Sequence, residues 1–189
     1  MKKTLSHSIG VAFYAVRVLD DYEEIPYRNL LFMAGLLHDI GKVYIPNSIL
    51  NKKDKLTEEE FGIMRLHPLT GAKLLNEMNY GYEIVEAVLH HHERWDGKGY
   101  PYGLQGQEIP YYSRILSVAD AFDAMISKRA YKKELPRDLA LAELQANAGT
   151  QFDPYIVDAF LEKNQPELNP SVRISGVFKE ENNWVRTTR

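Results

Sequence analysis

The stretch LLFMAGLLHDIGK, residues 30–42, runs from a dense apolar segment straight into a histidine–aspartate pair. LLFMAGLL (30–37) is the most apolar run of the chain, yet it is too short to span a membrane. It predicts an apolar helix over 27–40, closed by Gly41, a residue suited to the left-handed position after a helix. His38 and Asp39 stand at the end of that helix. They are ligand-type side chains placed against a buried element, and the rest of the chain is read outward from them.

Nearly every other periodic segment also reads as helix. Leu5, Ile9, Phe13, Val16 and Leu19 recur at helical spacing over 5–20. Thr57-Glu58-Glu59-Glu60 is a capping box that starts a helix near 57. His67-Pro68 opens another, with the proline tolerated in the first turn, and it continues over 68–78. A helix over 82–92 carries Ile84, Val85, Val88 and Leu89 on its buried side. Gly97, Gly99, Pro101, Gly103 and Gly106 make 93–109 a loop. Helices follow over about 110–127, 136–147 and 154–163. Val172–Phe178 and Trp184–Thr188 suit a short hairpin. The predicted fold is all-α, a compact bundle of about seven or eight helices. Residues 1–165 form the domain and 166–189 a tail packed on it.

Composition narrows the function classes. The chain has 189 residues, 44% hydrophobic and 26% charged, as in ordinary globular domains. A net charge of −3 argues against a nonspecific nucleic-acid binder, so no DNA partner is expected. There are no cysteines, which excludes disulfides, thiolate zinc sites and iron–sulfur clusters. The start, MKKTLSHSIG, lacks the long apolar core of a signal peptide, and a cytoplasmic location is expected.

Five of the six histidines accompany carboxylates in a pattern that suits a two-metal hydrolytic centre. On a helix, His38 and Asp39 would point about 100° apart. They could therefore serve two neighbouring ions, with Asp39 bridging through its two oxygens. His91-His92 is a second adjacent pair. Asp120 lies in the apolar run RILSVADAFDAM (114–125), where a carboxylate is costly unless paired or metal-bound. One shell would take His7, His38, Asp39 and Asp120. The other would take Asp39, His67, His91 and His92. Asp123, one turn beyond Asp120, would hold a ligand histidine in place. For single residues the plain readings stay open: a helix-end cap for His38-Asp39, a turn residue for His67, a salt bridge for Asp120.

Two of these groups lie in longer motifs, HDIGK (38–42) and HHERWDGKGYP (91–101). With them the chain resembles the HD-GYP domain, a branch of the HD superfamily of metal-dependent phosphohydrolases. The similarity runs from His7 to about Phe160. It includes GLQGQEIP (103–110), VADAFDAM (118–125), SKRAYK (127–132) and GTQFDP (149–154). The resemblance implies a phosphodiesterase that opens cyclic di-GMP to linear pGpG, in some members on to GMP, with a metal-bridging hydroxide attacking phosphorus. It implies the ligand set His7, His38, Asp39, His67, His91, His92 and Asp120. Two divalent transition metal ions are expected, iron or manganese before zinc or nickel.

Lys42 falls on the family's phosphate-contacting lysine and Tyr100 on its substrate-contacting tyrosine. Arg129 and Lys132 fall on its basic pair. Two positions depart from the pattern: Lys3 stands where some members carry a glutamate for a third metal, and Tyr44 where glycine is more usual. The implied partners are cyclic di-GMP, a diguanylate cyclase domain, and an upstream receiver or sensor domain. A homodimer is left open. Two other readings stand beside the enzyme: a non-catalytic cyclic-dinucleotide receptor, and an HD hydrolase of another nucleotide such as a mixed cyclic dinucleotide.

Overall fold

The computed structural model describes residues 2–19, 25–127 and 134–164. Helices account for nearly all of the regular structure. In chain order they are α1 (Lys2–Val16), α2 (Ile25–Leu37), a 3₁₀ turn (Ile40–Tyr44), α3 (Asn47–Leu50), α4 (Glu58–Met64) and α5 (His67–Glu77). Then come α6 (Tyr82–Leu89), a second 3₁₀ turn (Gly106–Glu108), α7 (Tyr111–Ile126), α8 (Arg137–Ala146) and α9 (Pro154–Asn164). The expected all-α bundle is what forms. Only two isolated β-bridges, Asp96–Gln105 and Ala148–Phe152, occur among the described residues. The expected hairpin over 172–188 and the tail 166–189 lie outside them.

Helix α7 is the axis of the bundle. Its inner side, with Ile115, Leu116, Val118, Ala119 and Phe122, is fully buried. It packs against α1, α6, α8 and α9, while α1 and α2 lie against each other. Phe122 meets Phe160 of α9 and Tyr14 of α1, with ring centroids 5.0 Å and 4.9 Å apart. Such aromatic pairs add about 0.5–1.5 kcal/mol to the burial of their area.

Helix α1 turns a different face inward than its sequence suggests. Leu5, Ile9 and Phe13 are 62%, 49% and 54% exposed. Ser8, Val11, Ala12 and Ala15 face the core instead. The reason is closeness: a Cβ added at Gly35 of α2 would lie 2.6 Å from the Cα of Ala12. Helices that approach so tightly need small side chains between them, and the large apolar residues fall to the other side.

Helix α1 ends at Val16, short of the predicted 20, and the two helices that precede the ligand pairs also end earlier than the sequence predicts. Helix α2 stops at Leu37 and α6 at Leu89, so His38-Asp39 and His91-His92 lie in turns just past helix ends. Gly41 is not left-handed, being absent from the positive-φ glycines (97, 103, 106 and 149). It sits within the 3₁₀ turn, where a Cβ would come within 2.0 Å of the His67 carbonyl oxygen and 2.5 Å of the Gly71 nitrogen. Close approach of two backbones, not backbone dihedral freedom, requires glycine here. Gly41→Ala is expected to destabilise the protein by roughly 1–3 kcal/mol, as overpacking against rigid backbone does, measured by denaturant unfolding.

Candidate metal centre

Three imidazoles are aimed by the same device. His38 Nδ1 donates to the Gly35 carbonyl (2.7 Å), His67 Nδ1 to Met64 (2.8 Å) and His91 Nδ1 to Val88 (2.6 Å). Each acceptor is a carbonyl in the last turn of a helix: α2, α4 and α6. Such carbonyls have no partner within their own helix. Because a carbonyl can only accept, the proton is fixed on Nδ1. In the neutral ring, Nε2 is then left as a free lone pair.

The three lone pairs converge. His67 Nε2 and His91 Nε2 are 3.4 Å apart, and His38 Nε2 is buried without a hydrogen-bond partner. The ring of His92 lies 4.1 Å from that of His91 and 4.9 Å from that of His67. Ligand atoms of His67, His91 and His92 lie within 4.8 Å of one another, as do those of His7, His38 and Asp39. Asp39 faces both groups. Its Oδ2 is 3.5 Å from His38 Nε2, and its Oδ1 is 3.5 Å from His67 Nε2. Lone pairs packed this closely repel unless a cation lies between them. The donor set of nitrogen and carboxylate oxygen therefore fits divalent transition metals.

His7 is held from both sides. Its Nδ1 is 2.6 Å from Asp123 Oδ2, and its Nε2 is 3.0 Å from Asp120 Oδ1. Asp120 Oδ1 is also 4.0 Å from His38 Nε2. Asp123 thus stands against the His7 nitrogen opposite the one that meets Asp120. Ser127 Oγ donates to the same Asp123 oxygen at 3.1 Å. Gly10 makes the arrangement possible, since a Cβ there would lie 2.0 Å from Asp123 Oδ1. All seven proposed ligands come together from five stretches of the chain. Lys42 joins them through a 2.6 Å ion pair with Asp39 Oδ2. Tyr100 lies over His92, ring centroids 4.9 Å apart. Arg129 and Lys132 lie outside the described residues, as does the side chain of Lys3. Tyr44, 59% exposed, is turned to solvent.

The signature loop contributes more than Tyr100. Glu93, with no exposed side-chain surface, accepts from the backbone N–H groups of Tyr102 (2.7 Å) and Leu104 (3.1 Å). Asp96 takes a two-pronged bond from Arg94, at 3.0 and 2.9 Å, and a third from Lys98 N–H at 3.2 Å. These two carboxylates fold the loop; Glu93 lies 3.9 Å from His90 Nδ1, a histidine outside the proposed ligand set. The sequence shows both letters but not that division of labour. Nor does any signal in it mark the three helix-end carbonyls, or Gly10.

In the metal-free protein the histidines divide electrostatically. Burial would lower the pKa of His7, but its bonds to Asp120 and Asp123 prevail and raise it to about 9. His38 moves up likewise, as the charge of Asp39 overcomes burial. Burial pushes His92 down to about 4 and lowers His67 and His91. Asp39 and Asp120 resist their own burial through the neighbouring cations and imidazoles, and stay below the usual carboxylate range.

The HD domain family model matches residues 3–156. The chain belongs to the HD domain family. Its HHExxDGxGYP loop places it in the HD-GYP branch, whose phosphohydrolases are metal-dependent. It is 49% identical over 135 residues to the cyclic di-GMP phosphodiesterase response regulator RpfG of Xanthomonas campestris pv. campestris, covering 70% of this chain and 36% of that protein. It is 40% identical over 164 residues to the 3′3′-cGAMP-specific phosphodiesterase 2 of Vibrio cholerae, covering 85% and 31%. The chain thus spans about a third of the length of these curated relatives. The HD-GYP-type protein Bd1817 of Bdellovibrio bacteriovorus shares the fold, with a TM-score of 0.68 at 19% identity, over 84% of this chain and 51% of that one.

Two outcomes follow from this geometry. Asp123→Ala should weaken metal binding about 10–100-fold, because His7 loses the group that orients it; metal titration against a competing chelator measures this. The metal-free protein should show a dome-shaped pH dependence of stability. His92 has a lowered folded-state pKa, so the unfolded chain binds more protons and stability falls as pH drops from 6.5 through about 4. His7 has a raised one, so its contribution is lost as pH rises from 6.5 through about 9. Thermal denaturation in chelator across that range checks both limbs.

Proposed function

We propose that this chain is a metal-dependent phosphodiesterase that opens cyclic di-GMP to linear pGpG, acting in the cytoplasm. The observation that carries the reading is Asp39, whose two oxygens face two separate ligand groups, beside an HD-GYP signature loop. His7, His38 and Asp120 would hold one ion with Asp39. His67, His91 and His92 would hold the other, again with Asp39. Iron or manganese suits this mixed set, and zinc or nickel is compatible with it. When bound, two such cations supply charge against the phosphoryl oxygens and acidify water to hydroxide near neutral pH. The absence of any helix long and apolar enough to cross a membrane, among the described residues, is consistent with the location.

The protein's own groups have distinct tasks. The Lys42 ammonium, already drawn to the centre by Asp39, would neutralise charge growing on the phosphoryl oxygens. Asp123 keeps the His7 ring turned so that Nε2 faces inward. Tyr100, lying over His92, aligns the phosphodiester. Arg129 and Lys132 would hold the second phosphate, with the arginine able to bind it through two bonds. The structural glutamate and aspartate of the loop, Glu93 and Asp96, keep Tyr100 in place.

A second reading has one observation in its favour: a relative at 40% identity is named for 3′3′-cGAMP. The same centre would cut that mixed dinucleotide by the same chemistry. Anaerobic purification with metal analysis, followed by chromatography of the products from each dinucleotide, decides between them. Asp39→Ala is expected to abolish both metal retention and turnover. Lys42→Ala should slow turnover about 100-fold while the metal stays bound. Full activity in Asp39→Ala would sink the proposal.

A further inference from the structure

Beside the centre, one cation is held in position and given no carboxylate. Arg65 caps the C-terminal end of α4, two residues before His67. Its guanidinium lies over the ring of Phe61, 4.4 Å from the centroid, and 5.4 Å from the centroid of Tyr100. Phe61 and Arg65 are one helical turn apart and share a face of α4. Arg65 is exposed, and among the described residues it forms no ion pair with a carboxylate. Contact with two rings restrains the guanidinium, and the exposed side chain keeps N–H donors available to a ligand.

The helix beneath it is unusual too. No residue of α4 is buried. Its start is fixed instead by polar bonds: Thr57 and Glu60 complete a capping box, and Lys52 pairs with Glu60 at 2.5 Å. A helix secured in this way, with none of its residues buried, sets Arg65 between Phe61 and Tyr100. Tyr100 links them to the metal centre, since its ring also lies 4.9 Å from that of His92.

We propose that Arg65, braced by Phe61 and Tyr100, binds the O6/N7 edge of a guanine base of the substrate and selects guanine over adenine at that position. The inference rests on the cyclic-dinucleotide reading of the site. The scissile phosphate is served by Lys42 and by the ions that the centre would hold. Arg65 lies one aromatic ring further out, where a base attached through its ribose would reach. Guanine offers two acceptors that match the fork of an arginine. Adenine places an amino donor in the O6 position, which faces donor with donor. An aromatic surface combined with a guanidinium is also the chemistry that receives an unstacked base.

The test uses the full metal-loaded chain with cyclic di-GMP and cyclic di-AMP. The readout is kcat/KM, or equilibrium Kd where no turnover occurs. Arg65→Ala is expected to weaken cyclic di-GMP by about 10-fold or more, the effect of losing one two-bonded base contact, and to leave cyclic di-AMP within about 2-fold. Arg65→Lys keeps the charge but not the fork and should behave like Arg65→Ala. An equal loss on both dinucleotides, or recovery of cyclic di-GMP by the lysine, would assign Arg65 to a phosphate and overturn the proposal. So would an unchanged Arg65→Ala, or one that has lost its metal. Failure of the wild-type chain to cleave any cyclic dinucleotide would instead overturn the function proposed above, and Kd values would still decide the role of Arg65.

Discussion

The hydrogen bond from an imidazole Nδ1 to a carbonyl three residues earlier, made three times at three helix ends, is what the site depends on. A helix leaves its last carbonyls without donors, and burying them unpaired is costly. Here the histidines at 38, 67 and 91 supply the donors for Gly35, Met64 and Val88. The same bond caps a helix and fixes a tautomer. Stability of the bundle and orientation of the ligand atoms therefore share one interaction. Moving a helix end by one residue would lose both.

Convergence of the three rings then imposes demands elsewhere. The 3₁₀ turn carrying Gly41 must press its backbone onto the first turn of α5, so that Asp39 reaches toward His38 and His67 at once. Helix α1 must approach both α2 and α7 closely to bring His7 between Asp120 and Asp123. Small residues at Gly10, Ala12 and Gly35 permit that approach. The cost is visible on the outer side of α1, where Leu5, Ile9 and Phe13 remain in solvent. Without a cation, the buried carboxylates Asp39 and Asp120 are balanced by His7 and His38, whose affinity for a proton they raise, and by Lys42, so positive charge is drawn to the centre.

The signature loop illustrates how one motif serves two purposes. His91 and His92 face the centre, and Tyr100 lies over His92. Glu93 and Asp96 instead collect backbone N–H groups and Arg94, giving a glycine-rich segment a single shape. A loop without a core of its own can hold an aromatic ring in place only if its polar groups are satisfied internally.

Much was legible in the letters. Periodicity marked the helices, the capping box at Thr57 and Glu60 located the start of α4, and ligand-type residues marked the seven positions that come together. These features are local: they follow from side-chain chemistry and from the repeat of a helix, which neighbouring residues settle among themselves. Tertiary structure decided the rest. It set which face of α1 is buried, and it shortened α2 and α6 so that both ligand pairs fall in turns. It gave Gly41 its role through a neighbour 26 positions away, the His67 carbonyl. It also brought Arg65 against Tyr100. Those outcomes depend on how closely separate helices approach, and that distance is fixed by packing between distant segments, which no stretch of sequence contains.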